Sequence, residues 1–119
     1  MSKLFSFTKR YTFLQRKEEC NRIITKFPDR VPVICERHYQ TNSIPNIDKN
    51  KYLVPYDISI GQFMYVIRKR IRLNQDEALF LFVNNMIPAT SESMQEVYNR
   101  LKSEDGFLYI MYSAENTFG

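Results

Sequence analysis

The sequence predicts an α+β fold: a four-stranded mixed sheet wrapped around one central helix, with two additional helices ahead of it. Three observations carry this. The stretch "DISIGQFMYVIRKRI" sets Ile60, Phe63, Met64, Ile67 and Ile71 on one side of a helix. The runs "RVPVICERHY" and "KYLVP" before it, and "ALFLFV" and "FLYIMYS" after it, have the length and apolar content of strands. Only three glycines punctuate the 119 residues and no repeat or low-complexity tract interrupts them, so the elements are expected to form one unit.

Taken in order, "KLFSFTKR" reads as a short helix. From Phe13 to Phe27 the apolar positions Phe13, Cys20, Ile23, Ile24 and Phe27 define a helical stripe. Thr12 and Gln15 have the spacing of a capping box at its start, and Pro28 ends it. In "RVPVICERHY" the alternation places Val31, Val33 and Cys35 on one side of a strand and Pro32, Ile34 and Glu36 on the other. A polar loop containing Asn42, Ser43, Pro45 and Asn46 leads to "KYLVP", which makes a hairpin with the first strand. Pro55 has no N–H to give a ladder, so this second strand ends there or lies at a sheet edge. Ser59 and Gln62 cap the central helix, and Arg68, Lys69, Arg70 and Arg72 crowd its end, where cations suit the helix dipole. "ALFLFV" is a buried strand closed by the turn-forming Asn84-Asn85. A further helix starts at Ser91 or Ser93 and turns Met94, Val97, Tyr98 and Leu101 inward. Asp105-Gly106 breaks it before the last strand. Strand, strand, helix, strand, helix, strand is the order of a β-grasp, with the first and last strands adjacent in the middle and "KYLVP" at one edge.

Composition narrows the function. No apolar run is long enough to cross a bilayer, and "MSKLFSFTKRYTF" lacks the apolar block of a signal peptide, so a soluble, cytoplasmic chain is expected. Cys20 and Cys35 make no metal spacing and are expected to be buried free thiols. The charge is uneven: residues 1–30 hold eight Lys or Arg against three acidic residues, whereas the rest is nearly balanced. That pattern suits a local anionic partner better than a polyanion groove, so no nucleic-acid partner is expected. An enzyme is disfavoured by inventory: His38 is the only histidine, and no phosphate loop, paired-carboxylate signature or nucleophile with a nearby base is present. No cofactor or metal is expected.

The blocks "FPDRVPVI", "DKNKYLVP", "GQFMYVIRKRI", "FVNNMIPATSESM" and the closing "FLYIMYS" with its terminal "FG" carry a resemblance. From about Phe13 onward the chain resembles the autophagy-related protein 8 (GABARAP-like) family of ubiquitin-like modifiers. It departs mainly in residues 1–12, in the loop at 38–47 and at Asn50. The resemblance implies a ubiquitin-like β-grasp core over 28–113, an N-terminal helical extension over 1–27 and a flexible tail over 114–119. It implies conjugation of Gly119 to phosphatidylethanolamine on autophagosomal membranes, through E1-like and E2-like conjugation enzymes and a processing or deconjugating cysteine protease. Glycine suits that role because the absence of a Cβ lets the tail thread a narrow channel to an active-site cysteine. It also implies capture of cargo receptors bearing aromatic-x-x-aliphatic motifs. The aromatic side chain would enter a pocket of Glu19, Ile23, Pro32, Lys51, Leu53 and Phe107. The aliphatic one would enter a pocket of Tyr52, Val54, Pro55, Ile58, Phe63 and Val66. Arg30, Lys49, Lys51 and Arg70 would meet flanking acids. An exposed "KYLV" edge supports such capture on physical grounds, since unpaired backbone groups accept an extended peptide as another strand. The alternative is an unconjugated ubiquitin-like peptide-binding module in vesicle or cytoskeletal trafficking.

Overall fold

A computed structural model describes residues 5–41 and 43–116. Its elements are α1 (Ser6–Arg10), α2 (Phe13–Lys26), β1 (Arg30–Arg37), β2 (Lys51–Pro55), α3 (Ile60–Arg70), β3 (Phe80–Phe82), α4 (Met94–Leu101) and β4 (Leu108–Ser113). The sheet order is β2-β1-β4-β3. β1 runs parallel to β4 and antiparallel to β2, and β3 runs antiparallel to β4. The β-grasp reading therefore holds, with β1 and β4 in the middle and β2 at an edge among the described residues.

Three of the helices start where a side chain can occupy their unpaired N–H groups. Thr12 with Gln15, Ser59 with Gln62, and Ser93 with Glu96 each form a complete capping box. The Asn84-Asn85 turn has both residues at positive φ, 50° and 65°, a conformation asparagine tolerates. It returns the chain so that Val83 pairs with Met86.

The sheet is covered on both faces. One face packs Val31, Val33, Cys35, Tyr52, Val54, Leu108, Ile110 and Tyr112 against Ile60, Phe63 and Ile67 of α3 and Met94 and Val97 of α4. The other face packs Ile34, Phe107, Tyr109 and Met111 against Phe5, Phe7 and Cys20. β4 is buried at every position for this reason, and its sequence reads as a continuous apolar run. Phe5 and Phe7 belong to this second core at 2% and 3% exposure. Burying each contributes about 1.5–3 kcal/mol. The Glu36 carboxylate holds α1 in place. It accepts from the Ser6 N–H and the Ser6 hydroxyl, both at 2.8 Å, and from the Phe7 N–H at 3.3 Å.

The apolar stripe assigned to α2 is corrected. Cys20 is fully buried and Ile23 partly so, but Phe13, Ile24 and Phe27 are 45%, 40% and 36% exposed. Their spacing satisfies the helical period, yet only Cys20 and Ile23, in the middle of the stripe, pack against the second core. Both cysteines are free and buried. Burial, followed by the nearby Asp105 charge, pushes the Cys20 thiol up to about 11.

Candidate functional site

β2 presents one backbone edge to β1 and, among the described residues, pairs with no strand on the other. Its register pairs Val31 with Val54, Pro32 with Leu53 and Val33 with Tyr52. Just ahead of the strand, the Cys35 N–H donates to the Asn50 carbonyl at 2.7 Å. Antiparallel pairing alternates, so Tyr52 and Val54 bond to β1 while the N–H and C=O groups of Lys51 and Leu53 face outward. Two details agree. Pro32, opposite Leu53, has no N–H to offer, and the Leu53 carbonyl accepts instead from the Arg30 guanidinium, Nη1 at 3.4 Å.

The side chains alternate as well, which splits the implied pockets between the two faces of the sheet edge. On the α2 face lie the residues assigned to the aromatic side chain. The Lys51 ammonium pairs with Glu19 and sits 5.8 Å above the Phe7 ring. Ile23, Leu53 and Lys51 are half-buried and Pro32 is buried. Phe107 is fully buried, with its ring 5.2 Å from that of Phe7, so it forms the floor behind the surface rather than the surface itself.

On the α3 face, Tyr52, Val54 and Phe63 belong to the core, and Tyr52 meets Phe63 edge-on at 5.8 Å. The Tyr52 hydroxyl is buried without a hydrogen-bond partner among the described residues, and burial keeps its phenol protonated well above the usual range. What a ligand could touch is Pro55 and Ile58, both half-buried, and Val66, which is 42% exposed.

The four cations differ in availability. Arg70 is bound by Asp48 at 2.8 Å and Lys51 by Glu19. Lys49 lies ahead of β2 with its ammonium 5.2 Å over the Tyr52 ring. Arg30 has no carboxylate partner among the described residues.

Sequence reasoning missed the part played by α1. Phe7 lies beneath Lys51 and against Phe107, behind the residues assigned to the aromatic side chain. The signal available was the pair Phe5 and Phe7 in an otherwise polar segment. Behind the pocket, Asp105 is 3% exposed. It accepts from Arg16 Nε at 2.9 Å, from the Phe107 N–H at 2.9 Å and from the Tyr109 hydroxyl. This network ties α2 to the start of β4. At the other end of β4, Ser113 is fully buried, Ala114 half-buried, and Glu115 and Asn116 exposed, so the chain leaves the core at Ala114. Gly119 lies outside the described residues.

A four-stranded β-grasp with β1 parallel to β4, carrying two N-terminal helices on the face away from α3, is a ubiquitin-like protein with an N-terminal helical extension. Comparison with known proteins narrows the class. Residues 15–119 match the family model described as "Autophagy protein Atg8 ubiquitin like". The chain is 54% identical over 114 residues to autophagy-related protein 8 of Mycosarcoma maydis, covering 96% of each chain. It is 58% identical over 107 residues to autophagy-related protein 8e of Arabidopsis thaliana, covering 90% of this chain and 87% of that one. The crystal structure of Trypanosoma brucei ATG8 superposes with a TM-score of 0.89 at 40% identity, covering 97% of this chain and 98% of that one. The chain belongs to the Atg8 family of ubiquitin-like autophagy proteins.

Proposed function

We propose that this chain is a conjugated, membrane-tethered adaptor in which Gly119 and the β2 edge do separate work. The Gly119 carboxylate is adenylated by ATP with release of pyrophosphate, transferred to a cysteine of the E1-like enzyme with loss of AMP, passed as a thioester to a cysteine of the E2-like enzyme, and finally bonded as an amide to the phosphatidylethanolamine amine, freeing the last thiol. A cysteine protease processes or reverses the linkage. The domain performs no catalysis; it supplies the carboxylate. The attached lipid places it on the autophagosomal membrane.

Docking at β2 is the second half of the proposal, and one observation carries it: Lys51 and Leu53 turn their backbone groups away from β1, with the residues of the two implied pockets on opposite faces of the same edge. A motif-bearing peptide adds there as a strand, its aromatic side chain on the α2 face and its aliphatic one on the α3 face. Acidic flanks of such a peptide meet Arg30 and Lys49, and compete with Glu19 for Lys51 and with Asp48 for Arg70.

Reconstitution with the two conjugation enzymes, ATP and phosphatidylethanolamine liposomes tests the first half. Gly119→Ala is expected to abolish the faster-migrating lipid-linked band while leaving peptide binding intact. An unaltered band would leave only the unconjugated adaptor. For the second half, calorimetry with a Trp-x-x-Leu peptide is expected to show saturable binding that Leu53→Ala weakens at least tenfold without affecting conjugation; absence of binding at high micromolar peptide would refute docking.

A further inference from the structure

Tyr52 carries a buried hydroxyl with no hydrogen bond, and it sits beside the ion pair that an acidic peptide flank would open. The residue is 8% exposed and its ring meets Phe63 edge-on, so the hydroxyl lies away from water on the α3 face of β2. Tyr112, in the same core, shows what a phenol does there when an acceptor is in reach: its hydroxyl donates to the Pro45 carbonyl at 2.6 Å. Tyr52 has no such acceptor. A buried hydroxyl left unpaired costs folding free energy and calls for an explanation.

The nearest carboxylate ahead of β2 is occupied. Asp48 lies four residues before Tyr52 and holds the Arg70 guanidinium at two points, Nε to Oδ1 at 2.8 Å and Nη2 to Oδ2 at 3.3 Å. The Asp48 and Arg70 side chains are 73% and 43% exposed, so the pair is weakly held. Burial is the main cause that keeps the Tyr52 phenol protonated; after it come Cys35, Arg70 and Asp48, of which Arg70 lowers the phenol's pKa and Asp48 raises it. Both charges of the pair therefore act at the hydroxyl. In the free chain the Asp48 carboxylate serves Arg70 and the Tyr52 hydroxyl has nothing. A peptide carboxylate that takes Arg70 leaves a free acceptor beside a free donor.

We propose that Tyr52 is a specificity-determining residue for acid-flanked peptides: as the flank binds Arg70, the released Asp48 carboxylate turns inward and accepts from the Tyr52 hydroxyl. The proposal rests on the docking reading above and gives the hydroxyl a task separate from that of the ring, which belongs to the aliphatic pocket. Every group is then paired, Arg70 with the peptide and Asp48 with Tyr52. The bound state gains a charge-assisted hydrogen bond that the free chain lacks, so discrimination between acidic and neutral flanks exceeds what the Arg70 charge alone gives. The competing donor for the released carboxylate is Lys49, whose ammonium lies 5.2 Å over the Tyr52 ring. Pairing there leaves the hydroxyl unpaired and makes discrimination independent of it.

The test uses the whole chain and two peptides, a Trp-x-x-Leu core flanked at both ends by three Glu or by three Gln, titrated by calorimetry at one ionic strength. The readout is the ratio of the two dissociation constants within each variant, so that any change in core affinity cancels. Tyr52→Phe keeps the ring and removes only the hydroxyl; it is expected to reduce the preference for the Glu-flanked peptide about fivefold, equivalent to about 1 kcal/mol. On an Asp48→Ala background the same substitution is expected to change the ratio less than about twofold. Thermal unfolding of the free chain is an independent check: Tyr52→Phe is expected to leave the midpoint unchanged or raised, whereas Tyr112→Phe, which loses the bond to Pro45, lowers it. A preference untouched by Tyr52→Phe overturns the assignment, and so does an equal effect with and without Asp48. A loss of stability in Tyr52→Phe matching that in Tyr112→Phe also overturns it, since the hydroxyl would then have its partner in the free chain. Equal affinity of the unsubstituted chain for the two peptides overturns it while leaving docking on β2 intact. Binding of neither peptide overturns docking and, with it, the role of Tyr52.

Discussion

Replacing Asp105 by alanine removes the acceptor on which three donors behind the aromatic pocket converge. The Phe107 N–H is left buried without its acceptor, the Tyr109 hydroxyl loses its partner, and Arg16 loses its ion pair. Breaking a buried ion pair from one side costs about 3–5 kcal/mol. The Arg16 side chain is 13% exposed and keeps its donation to the Tyr11 carbonyl at 2.6 Å, which argues for the low end of that range. A loss of about 3 kcal/mol at roughly 4 °C per kcal/mol lowers Tm by about 12 °C. Asp105→Asn keeps an acceptor for Phe107 but gives up the charge, so it should lie near half that value. Glu104→Ala, one residue away and exposed, should stay within about 0.5 kcal/mol of the parent. Urea and thermal denaturation followed by circular dichroism measure all three. Equal losses for Asp105→Ala and Asp105→Asn, or a loss below about 1 kcal/mol for alanine, would refute the reasoning, since either result would mean that the carboxylate is not holding α2 to β4. Because Tyr109 also contacts the Phe5 ring at 5.0 Å, the alanine variant should further loosen α1, read as faster amide exchange over residues 5–10.

Gly106 has a φ of +97°, and a Cβ placed there would lie 2.5 Å from Cys20 Sγ. Gly106→Ala therefore combines backbone strain with overpacking and should cost about 2–4 kcal/mol in denaturation. Adding Cys20→Ala should recover the steric share alone; full additivity of the two losses would argue against the clash. His38 gives a pH dependence of defined sign. Its Nδ1 accepts from the Gln40 N–H at 3.1 Å and burial lowers its pKa below 6.5, so the unfolded chain takes up a proton first as pH falls. The stabilisation is complete above about pH 7 and declines as pH drops through 6.5 toward the folded value. Wild-type stability should fall between pH 7 and pH 5 more steeply than that of His38→Gln; parallel profiles would contradict this.

Local chemistry determined much of this molecule in sequence. The capping boxes at Thr12 and Ser59, the Asn84-Asn85 turn, the alternation in β1 and the period of α3 each depend on neighbours within a few residues, and all appear in the structure where the residue types put them. Family membership was equally legible, because long blocks such as "FVNNMIPATSESM" are read directly from residue order. What tertiary structure alone decided is which of the apolar residues are covered. A helical stripe is a statement about angle, and α2 satisfies it while leaving Phe13, Ile24 and Phe27 exposed, since burial depends on how far the sheet extends beneath the helix. The contact of Phe7 in α1 with Lys51, the pairing of Arg16 with Asp105, and a groove between α2, the start of β1 and α4 all bring together residues tens of positions apart. Those proximities follow from the path of the chain through space, to which no short window of sequence has access.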